Sequence, residues 1–406
     1  MTDVLIIGAG PAGLSAGITC AKKGMSVKIL DEYYQPGGRL LGQLYEEPDG
    51  RWWNGIEETE KLIEQIIHHN VDILCETSVF HIELSRGQWV CHTTQGEFKA
   101  QSLLLATGAA EMPVPVPGWT LPGVMSIGAA QVMTNVQRVK VGEKGIIIGI
   151  NALSTAIALE LRLAGIKIES LLLPSLSDLT RETGNPERVL SSLLHISHMA
   201  PSRFLRTGSQ LMKNNAMRQI GLSLYPRNGF KVFDIPVQLK RAVTEIYGDM
   251  QVDGVKVVDI RSNGEPIPGS ERDIPVDFVC IAGGLYPLAE LADVAGCPFR
   301  YIPSLGGHVP VHNQYMQTPV TGLYVAGNIT GIESAKVAMA QGVLAGMSIA
   351  YDRGYTEDRE ELDQAVHHVK STRQQAHIQF HPDISIGREQ MEHAWHQLKG
   401  DRASSA

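Results

Sequence analysis

Four apolar residues, Val4-Leu5-Ile6-Ile7, run directly into Gly8-Ala9-Gly10-Pro11-Ala12-Gly13 and then into a helical pattern that carries Gly17. Few folds accept that order. A buried strand that turns sharply into a helix needs one glycine at the turn, one where main chain approaches a ligand, and one where helix packs on strand. Gly8, Gly10 and Gly13 stand in those places. The start of such a helix presents unsatisfied N–H groups and a partial positive charge, which complement a diphosphate. A second strand, Val27-Lys28-Ile29-Leu30, ends at Asp31, about 20 residues on, where a carboxylate accepts from ribose hydroxyls. Strand, glycines, helix, strand and terminal acid together predict a dinucleotide-binding unit.

The same pattern returns over residues 145–173 around Gly149-Ile150-Asn151-Ala152-Leu153-Ser154. Two strand–turn–helix–strand units predict an α/β protein with two Rossmann-like, parallel-sheet domains. The 406 residues also exceed what one hydrophobic core of about 250–300 residues supports. Met112-Pro113-Val114-Pro115-Val116-Pro117-Gly118 reads as an extended crossover, because its prolines lock φ and remove donors. Residues 318–350 resume the first style, with a strand from Leu323 to Ala326, a Gly-Asn turn and a small-residue helix from Ser334 to Ala350. The expected partition is therefore a discontinuous first domain over 1–117 and 284–350, a second over 118–283, and a tail over 351–406. That tail is charged and His-rich, with helical pattern from Arg359 to Arg373 and from Arg388 to Leu398.

Composition removes several functions. A net charge of −8 without any Lys/Arg run of five offers no phosphate-neutralising surface, so nucleic acid is not an expected partner. No apolar run reaches about 18 residues and no basic leader precedes the first strand, so neither a membrane nor export is expected and the reading is cytoplasmic. Cys20, Cys75, Cys91, Cys280 and Cys297 are scattered without a CxxC pair, which is the pattern of reduced thiols and not of a zinc site or redox disulfide. His367, His368, His377, His381, His393 and His396 in the tail read as solvated helical faces, and no metal is expected.

Which dinucleotide is favoured follows from Pro36-Gly37-Gly38-Arg39, which comes soon after the acid and would run main chain beside an extended flavin. That points to FAD over NAD. Leu103-Leu104-Leu105-Ala106-Thr107-Gly108 and Thr318-Pro319-Val320-Thr321-Gly322-Leu323-Tyr324-Val325-Ala326-Gly327-Asn328 supply two further strands with small-residue turns. Ala106-Thr107-Gly108-Ala109, Pro113-Val114-Pro115 and the run Pro117-Gly118-Trp119-Thr120-Leu121-Pro122-Gly123-Val124 resemble the FAD-binding subunit of opine oxidases. The stretch is similar in the corresponding subunits of hydrogen cyanide synthase, hydroxyproline dehydrogenase and heteromeric sarcosine oxidase. Gly283-Gly284-Leu285-Tyr286-Pro287, Glu290-Leu291, Gly296-Cys297 and Ala340-Gln341-Gly342 to Ala345-Gly346 extend the resemblance over residues 1–350.

The resemblance implies FAD phosphates at Gly8, Gly10 and Gly13 and the ribose at Asp31, with Pro11, Ala12 and Glu32 among the cofactor-binding residues. It implies ribityl chain and ring near Gly38, Arg39, Thr107, Gly108, Gly327 and Asn328, with Val79 and Ala106 also against the cofactor. It also implies oxidation of a C–N bond in a small amine or amino acid of opine, hydroxyproline or sarcosine type, with a second flavin-containing catalytic subunit.

Several residues depart from that pattern. Asn151 stands where the second glycine loop has its middle glycine, and the following strand ends Leu171-Leu172-Leu173-Pro174-Ser175 without an acid or arginine for a nicotinamide ribose. The second domain is therefore expected to be degenerate, without NAD(P). No cysteine follows Cys297, and Ile378-Gln379-Phe380-His381-Pro382 lies where such subunits carry iron–sulfur ligands, so no cluster is expected from this chain. Asn328 replaces an aspartate and hydrogen-bonds without charge.

For catalysis the candidates are Arg39, as partner of a carboxylate or flavin oxygen or as a structural ion pair, and His308, as a proton-transfer group or a loop histidine. Lys336 and Glu333 flank a helix start whose dipole would favour reduced flavin, or are surface residues. Two other functions fit the same residues: a stand-alone NAD(P)H-dependent flavin reductase, and a scaffold with structural FAD.

Overall fold

The computed structural model describes residues 2–47, 49–195, 221–222, 225–226, 228–376 and 379–404. They form two compact units, one of Met1–Gln43, Trp53–Ala110 and Leu285–Ala406, the other of Leu44–Trp52 and Glu111–Gly284.

In the first unit, the predicted strand, helix and strand are Thr2–Ile7, Pro11–Lys22 and Val27–Leu30. The apolar run buries Val4 to Ile7 on both faces, as a strand between two parallel neighbours requires. Thr2–Ile7 pairs in parallel with Val27–Leu30 (Val4 to Val27, Ile7 to Leu30) and with Gly96–Leu105 (Ile7 to Leu105). Leu323–Val325 adds a further parallel strand, Leu323 opposite Leu103. An antiparallel meander, Val79–Ser85 and Gln88–Thr93, continues the sheet. Pro11 occupies the first turn of its helix, where its missing N–H costs nothing.

The small-residue helix runs Ala335–Asp352, with Ser334 Oγ accepting the Val337 N–H at 3.4 Å. The tail forms helices Arg359–Gln375 and Ile384–Ser404, both in this unit. Leu362, Ala365, Val366 and Val369 recur at helical spacing and enter the core that holds Val4, Ile6 and Leu14. Ile384, Met391 and Trp395 pack with Ile302, Leu305, Val309 and Val311. Of the tail histidines, His377 lies outside the described residues.

The second unit repeats the motif as Lys144–Ile148, Ala152–Leu163 and Lys167–Pro174. Among the described residues its sheet runs Val124–Ser126, Phe278–Ile281, Lys144–Ile148, Lys167–Pro174, Ile235–Tyr247, Gly254–Asp259 and Arg272–Pro275, parallel as far as Ile235–Tyr247 and antiparallel beyond. The proline passage has no regular structure over 112–116 and buries Val114 and Val116 against Ile146, Ile148 and Val279. Gly118 explains its own place: at φ +85° a Cβ there would stand 1.8 Å from the Ile246 carbonyl oxygen. The Pro117 carbonyl accepts the Ile246 N–H at 2.8 Å and the Gly123 carbonyl the Val279 N–H at 2.9 Å. The Pro-Gly-Trp-Thr-Leu-Pro-Gly run is thus a clasp along the sheet of this unit.

Glu160 is buried within it, on helix Ala152–Leu163, accepting from Gln131 Nε2 at 2.9 Å and Asn135 Nδ2 at 2.6 Å. Burial pushes its carboxyl up to about 7, against the opposing effect of the two amides. The fold therefore favours the protonated form: that stabilisation is complete below the unfolded value of about 4.5 and is lost as pH rises through about 7. Denaturant unfolding of wild type is expected to lose on the order of 3 kcal/mol from this group between pH 5 and pH 8. Glu160→Gln should lack that component, and an unchanged slope in the variant would refute the assignment.

Candidate functional site

The three glycines of the first loop differ in what surrounds them. At Gly8, φ is +106° and a Cβ would lie 2.4 Å from the Ala106 carbonyl oxygen; at Gly13 it would lie 1.9 Å from the Gly8 carbonyl oxygen. Both are demanded by the protein's own packing. A Cβ on Gly10 would meet no heavy atom within 4 Å. Gly10 caps the Pro11–Lys22 helix and no side chain bonds its first turn, so this helix end offers main-chain donors to a ligand.

Other segments are drawn to that loop. Asp31 Oδ2 accepts the Ala9 N–H at 2.5 Å and Oδ1 the Tyr33 N–H at 2.8 Å. A carboxylate has roughly four lone-pair sites, so capacity remains for a hydroxyl. Glu32 beside it is exposed. The Thr77 N–H donates to the Asp31 carbonyl at 2.9 Å, which brings the start of the Val79 strand alongside. Gly37 N–H donates to the Ala9 carbonyl at 2.8 Å, and a Cβ on Gly38 would be 3.2 Å from the Gly10 α-carbon. Arg39 Nε donates to the Ala109 carbonyl at 3.1 Å. Ala106 N–H bonds the Ile7 carbonyl at 2.8 Å, Thr107 Oγ1 donates to the Leu288 carbonyl at 2.5 Å, and Gly108 turns the chain at φ +78°. Gly327 comes so near Ala12 that a Cβ would stand 2.9 Å from that methyl, and Asn328 Oδ1 accepts the Glu333 N–H at 3.2 Å.

The remaining candidates lie otherwise. His308 is exposed on the Phe299–Ile302 and Gly307–Pro310 ribbon, its ring 4.9 Å from that of Tyr301. The Lys336 ammonium lies over the Trp53 ring at 4.8 Å. Residues that sequence reasoning left out gather instead behind Gly327. Gln341 Oε1 accepts the Gly327 N–H at 2.9 Å. Its signal was a long polar side chain amid the alanines and glycines of the Ala335–Asp352 helix.

Glu333 is buried and bonded by Arg373 Nε at 2.5 Å and by Arg388 Nη2. Burial pushes its carboxyl up, but Arg388 and Arg373 outweigh this and hold it below the ordinary value. His312, beside Arg388 Nη1 at 3.4 Å, is held neutral: burial first, then Arg388, push it down to about 3.

The second loop has the same turn in another state. Gly149, at φ +113°, has no room for a Cβ, which would stand 2.1 Å from the Ala282 carbonyl oxygen. Asn151 caps its helix: Oδ1 accepts the Ser154 N–H at 2.9 Å, Ser154 Oγ accepts the Asn151 N–H at 2.9 Å, and Nδ2 donates to the Ala282 carbonyl at 3.0 Å. This closed capping box occupies donors that the first loop leaves for a ligand.

All five cysteines are free. Burial pushes Cys20, Cys91 and Cys297 up to about 12, so none is a thiolate at neutral pH. Among the described residues no cluster of His, Cys, Asp or Glu is suited to a metal, and no helix is long and apolar enough to cross a membrane.

The profile of the pyridine nucleotide-disulphide oxidoreductase family matches residues 2–193 and 204–342. The chain belongs to that family, and membership implies a flavin-dependent oxidoreductase. An opine oxidase subunit of Agrobacterium tumefaciens is 29% identical, over 86% of this chain and 65% of the relative. Hydrogen cyanide synthase subunit HcnB of Pseudomonas aeruginosa is 25% identical, over 90% of this chain and 74% of the relative. The chain thus spans just under two thirds of the opine oxidase subunits of Agrobacterium tumefaciens and Rhizobium meliloti, 65% and 63%. L-proline dehydrogenase from P. horikoshii shares the fold at a TM-score of 0.62 and 20% identity, over 89% of this chain and 58% of that one. Thioredoxin reductase from T. acidophilum does so at 0.61 and 23%, over 86% and 98%.

Gly10→Ala and Gly13→Ala should separate packing from ligand contact. In cofactor-free protein Gly13→Ala is expected to lose about 1–3 kcal/mol of stability, while Gly10→Ala stays within about 1 kcal/mol of wild type. On adding FAD, the Gly10→Ala chain should bind at least about tenfold more weakly. Wild-type affinity in Gly10→Ala would refute the ligand-facing role.

Proposed function

We propose that this chain carries one FAD on its first glycine loop and works as the FAD-binding subunit of a heteromeric dehydrogenase or oxidase acting on a small amine or amino acid. The observation that carries the reading is the contrast between the loops: Gly10 is bare and its helix uncapped, whereas Asn151 closes the second. The first loop fits FAD on chemistry of this chain alone, since main chain and helix dipole meet a diphosphate at Gly10, Pro11, Ala12 and Gly13. Asp31, with Glu32 beside it, would hold the adenosine ribose. Val79, on the strand brought beside Asp31, would lie against the cofactor there, and Gly38, Arg39, Ala106, Thr107, Gly108, Gly327 and Asn328 would line the ribityl chain and ring. Bound flavin would supply the two-electron acceptor for C–N oxidation.

A pyridine nucleotide is not part of this reading, because its pyrophosphate would have to displace the capping box, worth about 1 kcal/mol, and the Asn151 contact to Ala282. Proton transfer is not assigned to His308, which is exposed, nor a catalytic role to Lys336, whose ammonium lies over the Trp53 ring. The amine or amino-acid class and the partner subunit are drawn from relatives named as subunits of opine oxidase, hydrogen cyanide synthase and sarcosine oxidase; a flavin and the catalytic role in that partner are what the family resemblance implies.

Anaerobic stopped-flow absorbance tests the proposal on protein co-purified with its native partner. Candidate amines and amino acids should bleach the flavin band, and NADH or NADPH should not. Rapid bleaching by NAD(P)H would make the chain a stand-alone reductase. Bleaching by neither class would leave a scaffold with structural FAD.

A further inference from the structure

We propose that the two terminal helices tune the bound flavin, through a buried cluster in which Arg373 and Arg388 clasp Glu333 and leave one positive charge in excess behind the Gly327–Asn328 turn. This rests on the reading that FAD lies along that turn.

The cluster joins distant parts of one unit. Arg373 comes from helix Arg359–Gln375 and Arg388 from helix Ile384–Ser404, while Glu333 immediately precedes the capping Ser334. The side chains are 15%, 14% and 6% exposed. Arg388 Nη1 also donates to the Thr330 carbonyl at 2.7 Å, and Thr330 Oγ1 donates to the Gly327 carbonyl at 2.8 Å. Gln341, which holds the Gly327 N–H, contacts Glu333 Oε2 at 3.5 Å. Asn328 Oδ1 takes the Glu333 N–H. Gly327 is therefore tied through Gln341 to the carboxylate that the tail arginines hold, and Asn328 to the main chain of the same glutamate.

Two arginines against one carboxylate leave a charge of +1, and His312 adds none because it is neutral. Among the described residues no second carboxylate pairs with either arginine, and the buried Arg388 Nε has no hydrogen-bond partner. A buried cation without a counter-charge is costly. Oxidised isoalloxazine is neutral and the reduced ring becomes anionic, so an excess cation beside it acts with the helix dipole to favour reduction.

The test is the midpoint potential of the FAD-loaded full chain, measured by equilibration with reference dyes. Arg373→Gln leaves Glu333 paired with Arg388 and should disfavour reduction about tenfold, a shift of about 30 mV to the negative for a two-electron couple. Arg373→Lys, which keeps the charge, should remain near wild type. Glu333→Gln should move the potential in the opposite direction. An unmoved potential in Arg373→Gln, or equal shifts in the glutamine and lysine variants, would overturn the proposal and leave the cluster a structural tie. Weaker FAD binding at constant potential would overturn it too, assigning the charge to the diphosphate. Failure of the wild-type chain to take up FAD would instead sink the flavin reading itself.

Discussion

Main chain packed on main chain at the first glycine loop sets the positions of everything around it. Gly8 rests against the Ala106 carbonyl, Gly13 against that of Gly8, and on the crossing helix Gly342 against that of Ala12, where a Cβ would come within 2.1 Å. Gly346 continues the contact against Ala16 and Thr19. Approach this close is open only to residues without side chains. Its consequence is spatial: strand ends at Leu105 and Val325 and the first turn of the Pro11–Lys22 helix are delivered to one place. The loops after those strands, with Thr107, Gly108, Gly327 and Asn328, are carried along.

The duplicated architecture shows how little it takes to alter a site without altering a fold. Gly149 makes the same turn as Gly8, each with φ near +110° and a carbonyl of a neighbouring strand or its extension beneath it. Two residues further on, Gly10 leaves its helix end unfilled, whereas Asn151 fills its own with an amide, the Ser154 hydroxyl and a bond to Ala282. Helix termini leave donors that something must satisfy. In one unit that demand remains for an anion; in the other the side chains have met it.

The tail belongs to the first unit by packing as well as by charge. Leu362, Ala365, Val366 and Val369 share the core of the glycine-loop helix, and Met391 and Trp395 cover Leu305 and Val309. Burial of that apolar surface is what makes a buried cluster of Glu333, Arg373 and Arg388 sustainable, because each charged group loses water and needs a fixed partner in return. The same loss of water keeps His312 neutral beside a guanidinium.

Periodicity and glycine spacing were enough to read two strand–turn–helix–strand units, the helix after Ser334 and the two tail helices, because each is dictated within a window of about 20 residues. The obstruction at Asn151 was readable as a side chain in a place for glycine. Its role as a cap bonded to Ala282 was not, since that carbonyl is 131 positions away. Nor could sequence show that Leu44–Trp52 joins the second unit, that Gly118 is needed under Ile246, or that Glu333 would meet arginines 40 and 55 positions later. Local chemistry determined which elements form and where a helix end is left without a side-chain cap. Which distant charges and carbonyls share a buried space was decided by tertiary packing alone, because desolvation and contact depend on three-dimensional neighbours and not on order along the chain.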